Sequence, residues 1–209
     1  MPKAFIACAG RELWEWSADV LTRECDRVVF AVTADRVDAD ADRPDDSNAA
    51  GPAEAGRVRI ERVAGGAARS ESVRNALAIA PDADIVVIHD AARPFVTAEL
   101  VRECVRVVES GADGAVAAAP VTDTIKEADA DRRVVRTLDR ARLWSIQTPQ
   151  AFSADVLRRA LASDRVATAT DDASLVESLG GDIRIVEAPP SNFKITWPED
   201  LERAETLLC

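Results

Sequence analysis

The sequence predicts an α/β protein with a doubly wound, mostly parallel sheet, and two observations support this fold class. First, β-prone runs alternate with helical segments along most of the chain, as in strands joined by crossover helices. Second, the runs Arg27–Val32 and Ala83–His89 consist mainly of apolar residues. We expect the latter to form a strand buried on both faces. A chain of 209 residues is long enough for one such domain with a sizeable core.

In the first half of the chain, predicted helices alternate with predicted strands. Apolar residues at helical spacing predict a helix over Glu12–Arg23, which precedes the strand Arg27–Val32. The polar, acidic stretch Thr33–Gly56 contains two prolines and is interpreted as a surface loop. A second strand is predicted over Val58–Val63, and two glycines then turn the chain into a helix over Arg69–Ala80.

The second half continues the pattern on either side of an interruption. Thr97 is a suitable N-cap for the helix that follows the apolar strand, and Pro198 suits the first turn of the last helix. The predicted elements here are a helix over Thr97–Ser110, a strand over Gly114–Val121, helices over Ala154–Ala162 and Ala173–Leu179, a strand over Ile183–Val186 and a helix over Pro198–Leu208.

The interruption, Thr122–Trp144, is interpreted as a protruding β-arm. It holds two short β-prone pieces around the polar turn Asp129–Arg132, with Val134 and Val135 on the return piece. So few apolar residues cannot form an independent core. We therefore predict that the arm packs against a second copy of the chain, which makes the protein a homodimer.

Composition excludes several classes of function. The formal net charge of -11 argues against a nucleic-acid-binding protein or one that binds an anionic membrane, and no apolar run is long enough to span a bilayer. The start of the chain lacks the apolar region of a secretory signal. The four cysteines are scattered, which predicts reduced thiols in the cytoplasm rather than a zinc site or disulfides. A single histidine, His89, leaves no serine–histidine triad elsewhere.

The segment HDAARPFV, His89–Val96, is the strongest candidate for chemistry. Asp90 directly follows the apolar strand, and ligands and metal ions collect at the carboxyl ends of strands in open α/β sheets. Arg93 lies three residues further on, beside the stiffening Pro94. A carboxylate and a guanidinium at such an edge can serve a magnesium ion and a polyphosphate. A helix-capping aspartate beside a solvated arginine remains an alternative for the dipeptide alone.

Six further segments are candidates for a binding role. Gly65–Gly66 with Ser72 suits a ligand at a helix N-terminus, or an ordinary tight turn. The others are DTIK at residues 123–126, Asp139–Arg140, QTPQ at residues 147–150, TDDAS at residues 170–174 and NFKIT at residues 192–196. Four of these have a structural alternative, which is in turn a solvated hairpin, a surface ion pair, a helix capped by Thr170 and a surface lysine. QTPQ is harder to dismiss, because its amides and hydroxyl, locked by proline, are predicted to form a hydrogen-bonding loop.

Taken in order, these motifs resemble the 2-C-methyl-D-erythritol 4-phosphate cytidylyltransferase family over nearly the whole chain. The segments that carry the resemblance are PKAF, GGAARSESV, HDAARPFV, PVTDTIK, LDRARLWSIQTPQAF, TDDAS and NFKITWPEDL. The resemblance implies one Rossmann-like domain over residues 1–209, of the nucleotide-diphospho-sugar transferase type, with a dimerisation arm at 122–144. It also implies a cytoplasmic enzyme of non-mevalonate isoprenoid biosynthesis, which joins CTP to a sugar-alcohol phosphate with Mg²⁺ and releases pyrophosphate.

The resemblance also assigns roles to individual positions. Asp90 is implied to be the ligand of the magnesium that bridges the CTP phosphates. The implied nucleotide-binding residues are Gly65, Gly66, Ser72, Ala91 and Arg93. The implied contacts with the sugar-alcohol phosphate are Thr148, Thr170 and Lys194, together with Thr124 and Arg140 from the arm of the neighbouring subunit. Lys3, Arg140 and Lys194 are the implied catalytic cations.

One departure from the family pattern concerns the N-terminal side. The family begins with a strand and a glycine-rich A-A-G-x-G-x-R loop before its Pro-Lys pair, whereas here the pair is residues 2 and 3. We therefore expect an N-terminally truncated domain, through a start codon placed too late or through genuine shortening of the protein. Two rival functions stay open: a ribitol-5-phosphate cytidylyltransferase, and a catalytically weak nucleotide-binding module without the phosphate loop.

Overall fold

A computed structural model describes residues 3–37, 58, 60–163 and 171–208 of the chain. The strands are β1 (Ala7–Cys8), β2 (Arg11–Glu12), β3 (Val28–Val32), β4 (Ile60–Ala64), β5 (Ile85–Ile88), β6 (Gly114–Pro120), β7 (Lys126–Ala128), β8 (Val134–Thr137), β9 (Trp144–Ser153) and β10 (Ile183–Glu187). The helices are α1 (Leu13–Glu24), α2 (Arg69–Ala78), α3 (Ala98–Glu109), α4 (Ala154–Leu161), α5 (Asp172–Ser178) and α6 (Pro198–Leu208).

The predicted strands and helices are all present, each within a few residues of its expected bounds. The main sheet has the strand order β10-β6-β9-β5, and β3 and β4 form a separate parallel pair. Strands β10 and β6 are parallel, whereas β9 runs antiparallel to both β6 and β5. The sheet is therefore mixed, and one antiparallel strand lies at its centre.

The central strand β9 contains the QTPQ segment, so the prediction of a loop there is wrong. The polar residues and Pro149 of this segment are not typical of a strand, because proline cannot donate to a β-ladder. The ladder accommodates Pro149 at an irregularity, where the β6–β9 register shifts between Val116 and Ala118. Pairing with strands on both sides thus overrides the weak local preference of this segment.

Alternate residues of β6 face two hydrophobic clusters, one on each side of the main sheet. Val116 packs with Phe152 and with α4 and α5, whereas Ala115 and Ala117 pack against α3. The small alanine side chains let α3 lie close to the sheet, and Ala115 and Ala117 are fully buried. Helices on both faces confirm the doubly wound fold class.

The expectation that the Ala83–His89 strand is buried on both faces is wrong. Every residue of β5 is only partly buried, because β5 pairs with β9 on one edge and lies at the end of the four-stranded sheet. Strand β3 likewise pairs only with β4 among the described strands. Residues of both strands, including Phe30 and Val87, line one cavity of about 130 Å³. Although β5 is apolar, it has only one neighbouring strand, β9, in the described part of the chain.

The predicted arm is an antiparallel hairpin of β7 and β8, with Lys126 opposite Thr137. All residues of both strands are exposed, and Val134 and Val135 expose 62% and 60% of their surface. The two valines thus present apolar side chains to solvent in the single chain, and the homodimer stays a prediction. Among the described helices, none combines the length and the apolar character needed to cross a membrane.

Two helix caps were predicted from the sequence. Thr97 caps α3 as expected, because its hydroxyl accepts a hydrogen bond from the Leu100 amide at 3.2 Å. The cap of α5 is Asp171, whose carboxylate accepts from the Ser174 amide at 2.9 Å. Thr170, to which the capping role was given, lies outside the described residues.

Candidate active site

The candidate site begins where β5 ends beside the central strand. The β5–β9 register pairs Ile88 with Gln150, and its continuation by two residues brings Asp90 opposite Thr148. The Asp90 amide donates to the Thr148 hydroxyl at 3.0 Å. A turn then closes from the Arg93 amide to the Asp90 carbonyl at 2.9 Å. Asp90 is thus held at a strand tip, as predicted.

The Asp90 carboxylate uses both of its oxygens. Oδ1 accepts from the Ala92 amide at 3.0 Å, and Oδ2 contacts the Lys194 Nζ at 2.6 Å. Burial favours the neutral carboxyl and is the largest single influence on its pKa. The hydrogen bonds from Lys194 and Ala92, helped by the charge of Arg69, outweigh burial and lower the pKa of Asp90. Asp90 therefore remains ionised at neutral pH.

Lys194 is supported by a buried asparagine two residues before it. Asn192 is fully buried, and its amide nitrogen donates to Gln147 Oε1 at 2.8 Å and to the Thr148 carbonyl at 2.9 Å. The Arg93 guanidinium donates to the Asn192 carbonyl at 2.9 Å. On the other side of Lys194, the Ile195 amide donates to the Ala92 carbonyl at 2.8 Å. The lysine segment is thereby fastened to the Asp90 loop and to β9.

The glycine turn lies at the N-terminal end of α2. The Gly66 amide donates to the Ser72 hydroxyl at 3.0 Å, so two of the predicted nucleotide-binding residues contact each other. The Gly65 amide donates to the Val32 carbonyl at 2.7 Å, which ties the turn to the end of β3. A Cβ atom on Gly66 would lie 2.2 Å from the Glu71 Cβ, so any larger residue would displace the start of α2. The close packing explains the glycine at position 66.

Arg69, at the start of α2, joins this turn to α5. Its Nε donates to Asp172 Oδ2 at 3.1 Å, and the Asp172 side chain is 2% exposed whereas that of Arg69 is 43% exposed. Burial raises the pKa of Asp172, although the Arg69 charge opposes the rise. The neighbouring Asp171 accepts a weaker hydrogen bond from Gln150 at 3.4 Å. Arg69 is therefore both a brace between two helices and a cation near Asp90.

We expect Arg69→Ala to lower the free energy of unfolding by about 2 kcal/mol at pH 7, because it leaves the buried Asp172 carboxylate without its cation. Without Arg69, the pKa of Asp172 rises further above its unfolded value. Protonation then removes the penalty, so the loss should shrink as the pH falls toward about 4. Urea unfolding at both pH values checks this. The double variant with Asp172→Asn should recover most of the stability at pH 7; equal instability in both variants would contradict the role of the ion pair.

The structure does not bring every predicted site residue to this cluster. The Lys3 ammonium donates to the Thr196 carbonyl at 3.0 Å, close to the lysine segment but not to Asp90 itself. Arg140 lies at the base of the arm and donates to the Thr122 carbonyl at 2.6 Å. Within the described residues of the one chain, no hydrogen bond or ion pair joins Thr124 or Arg140 to Asp90 or Lys194. Their predicted roles concern the neighbouring subunit and remain predictions.

Several residues of the site were not chosen from the sequence. Asn192, Gln147 and Arg69 lie inside motifs that the sequence analysis singled out, but none was assigned a role. Asparagine and glutamine are ambiguous in a sequence, because the same amide serves a turn, a surface or a buried network. A signal was available for Asn192, since it stands two residues before a predicted catalytic lysine in a short β-prone segment.

Within the described part of the chain, the residues around Asp90 offer a single carboxylate to a divalent cation. The described residues contain no group of three or more histidine, cysteine, aspartate or glutamate side chains that could hold a metal ion. Mg²⁺ keeps several waters and is commonly bound through one or two carboxylates together with substrate phosphates. Asp90, ionised and 21% exposed, fits that mode of binding. The site therefore suits a magnesium ion that arrives with a polyphosphate.

Comparisons with known proteins agree with this arrangement. The sequence profile of the family described as IspD, 2-C-methyl-D-erythritol 4-phosphate cytidylyltransferase, matches residues 1–209. A protein of that name from Nocardia farcinica is 44% identical over 99% of this chain and 86% of its own length. Another, from Saccharopolyspora erythraea, is 42% identical over 100% of this chain and 92% of its own length.

Solved structures give the same result. The crystal structure of 2-C-methyl-D-erythritol 4-phosphate cytidylyltransferase from Thermus thermophilus superposes with a TM-score of 0.78 at 33% identity, and covers 99% of this chain and 93% of its own. That of 4-diphosphocytidyl-2C-methyl-D-erythritol synthase from Anaerococcus prevotii gives a TM-score of 0.83 at 28% identity, over 98% and 92% of the two chains. The chain belongs to the 2-C-methyl-D-erythritol 4-phosphate cytidylyltransferase family.

Proposed function

We propose that this chain transfers the cytidylyl group of CTP to 2-C-methyl-D-erythritol 4-phosphate and releases pyrophosphate. The observation that carries the proposal is the contact of 2.6 Å between Lys194 and Asp90 at the tip of β5. It brings together a carboxylate that would bind a metal ion and a cation that would bind a phosphate, in a chain of this family. The reaction belongs to non-mevalonate isoprenoid synthesis. Cys25 and Cys104 carry free thiols, which supports our proposal that the reaction takes place in the reducing cytoplasm.

The proposed reaction needs no general base, because a phosphate monoester is already an anionic nucleophile at neutral pH. An oxygen of the methylerythritol phosphate forms a bond to the α-phosphorus of CTP. The bond from that phosphorus to the bridging oxygen of the β-phosphate breaks, and its electron pair leaves with pyrophosphate. Two anions must approach each other during this step, so the protein's task is to position them and to supply positive charge.

Asp90 and Lys194 are proposed to separate when the substrates bind. Asp90 would hold Mg²⁺, which supplies positive charge to the triphosphate when bound. The Lys194 ammonium would then turn from the carboxylate to a phosphate oxygen beside it. Its exposure of 45% leaves it accessible to such a ligand, and the buried Asn192 two residues before it keeps its backbone in place. In the free protein, the ion pair thus keeps the lysine close to the place where the reacting phosphates would bind.

The remaining predicted residues are proposed to divide between the nucleotide and the arm. Gly66 and Ser72 would contact the cytosine through backbone and hydroxyl groups, and Gly65, Ala91 and Arg93 would line the same nucleotide site. Lys3 would add positive charge beside Lys194. Thr124 and Arg140 would reach the methylerythritol phosphate bound by the partner subunit of a homodimer. Thr148 and Thr170 are the other proposed contacts with that substrate.

Pyrophosphate release by the purified protein tests the proposed function. We expect release that depends on CTP, Mg²⁺ and methylerythritol phosphate together, with ribitol 5-phosphate a much poorer acceptor. Asp90→Asn is the matched control, because it keeps the size of the side chain and removes its charge. Pyrophosphate release should be lost in this variant. Release with ribitol 5-phosphate but not with methylerythritol phosphate would favour a ribitol-5-phosphate cytidylyltransferase. Calorimetric binding of CTP without turnover would instead favour a nucleotide-binding module.

A further inference from the structure

The side chains of Thr148 and His89 form a chain of hydrogen bonds that encloses the Asp90 loop. Thr148 Oγ1 lies 3.0 Å from the Asp90 amide and 3.2 Å from His89 Nδ1. The other ring nitrogen, His89 Nε2, lies 3.1 Å from the Arg93 carbonyl oxygen. Both ends of the loop from Asp90 to Arg93 are therefore fastened through the same imidazole.

The chemistry of the end groups, together with a neutral imidazole, assigns every proton in this series of hydrogen bonds. An amide can only donate, so the Thr148 hydroxyl accepts a hydrogen bond from Asp90. A carbonyl can only accept, so His89 Nε2 carries the proton that is shared with Arg93. In a neutral ring with this proton on Nε2, Nδ1 can only accept, so the Thr148 hydroxyl donates its own proton to His89 Nδ1. Burial, which lowers the pKa of His89 to about 4, agrees with a neutral ring at pH 7.

This arrangement restricts what Thr148 can do for a ligand. Its side chain is buried, with 6% exposure, and its only proton is committed to His89. The hydroxyl can therefore accept a hydrogen bond from a substrate hydroxyl but cannot donate one to a phosphate oxygen. Its main contact is with the backbone of Asp90, which suits a residue that positions the carboxylate rather than one that binds the phosphate.

We infer that His89 is a positioning residue, which orients the Thr148 hydroxyl and the Asp90–Arg93 loop so that Asp90 can bind the magnesium–CTP complex. The inference rests on the proposed function for the identity of that ligand. It does not depend on that function for the tautomer, because the hydrogen bonds exist in the free protein. No other histidine occurs in the chain, so the ring can be observed without overlap.

Nitrogen-15 NMR of the untagged, ligand-free protein at about pH 8 tests the tautomer directly. Long-range proton–nitrogen correlations should show a protonated Nε2 and an unprotonated, hydrogen-bonded Nδ1. In Thr148→Val, the Nδ1 resonance should shift toward that of a nitrogen without a donor, and in Thr148→Ser it should stay. An Nδ1–H tautomer, or a charged ring, in the wild-type protein would overturn the inference even if every variant failed to fold.

Calorimetry with CTP and Mg²⁺ then tests the consequence for Asp90. Thr148→Val should weaken binding about tenfold, because the Asp90 amide loses its acceptor, whereas Thr148→Ser should retain affinity within about twofold. His89→Phe, which removes both ring hydrogen bonds, should weaken binding at least as much as Thr148→Val. Equal affinity in Thr148→Val and the wild type would overturn the inference. No binding by the wild type would instead count against the proposed function, while the NMR result would stand on its own.

Discussion

Replacing Lys194 by alanine is expected to lower kcat/KM by about two to three powers of ten, because a cation at about 4 Å contributes roughly 4 kcal/mol at an effective dielectric near 20, before desolvation costs. The melting temperature should change little, since the Lys194 side chain is 45% exposed and its partner Asp90 remains accessible to water. Pyrophosphate release and thermal melting, measured on the same preparation, check the two expectations together.

A matched control for Lys194 is available on the same surface. Arg203 lies over the Phe193 ring at 4.2 Å and belongs to no part of the proposed site. Arg203→Ala removes one positive charge near the lysine segment without touching Asp90, so its kcat/KM should stay within about twofold of the wild type. Unchanged turnover in Lys194→Ala, or an equal loss in both variants, would contradict a direct role for the lysine.

Arg140→Ala is expected to reduce kcat/KM to a similar extent, although Arg140 makes no contact with Asp90 or Lys194 within the described residues of its own chain. The loss is expected because the arm carries this cation to the phosphate in the partner's site. Arg140 is exposed, and its guanidinium donates to the Thr122 carbonyl within the same arm, so stability should be nearly unchanged.

Arg136→Ala supplies the control for the arm, because Arg136 is another exposed arginine of the hairpin and pairs with Glu127. Its turnover should remain close to that of the wild type. Gel filtration at micromolar concentration should show both variants as dimers, so that a lost dimer does not account for lost activity. A monomeric wild-type protein would contradict the arm's proposed role altogether.

The regular elements of this fold were predictable because they depend on local patterns. Thr97 sits before a helical repeat and caps it, and the strand after Gly114 follows from a continuous run of small and apolar residues. The central strand β9 was not predictable in the same way. Its polar residues and Pro149 favour a loop, and only pairing with β5 and β6 makes the segment a strand.

In the candidate site, too, local patterns predict one part and tertiary contacts decide the rest. The position of Asp90 followed from an apolar strand that ends in an acidic residue, and the structure confirms it at the tip of β5. The supporting network did not follow, because Asn192, His89 and Gln147 come together only through the antiparallel course of β9 beside the Asp90 loop. The half-exposed β5 was also beyond a local pattern, because burial depends on whether a strand has neighbours on both edges.

Mixing two inactive variants tests most directly whether cations from both subunits surround one nucleotide. Lys194→Ala and Arg140→Ala chains, unfolded together and refolded at equal concentration, should regain about one quarter of wild-type activity. Half of the dimers are then mixed, and one of the two sites in each mixed dimer has an intact Lys194 and the partner's intact arginine. Activity no higher than that of the separate variants, in a mixture shown to contain mixed dimers, would contradict a site built from two chains.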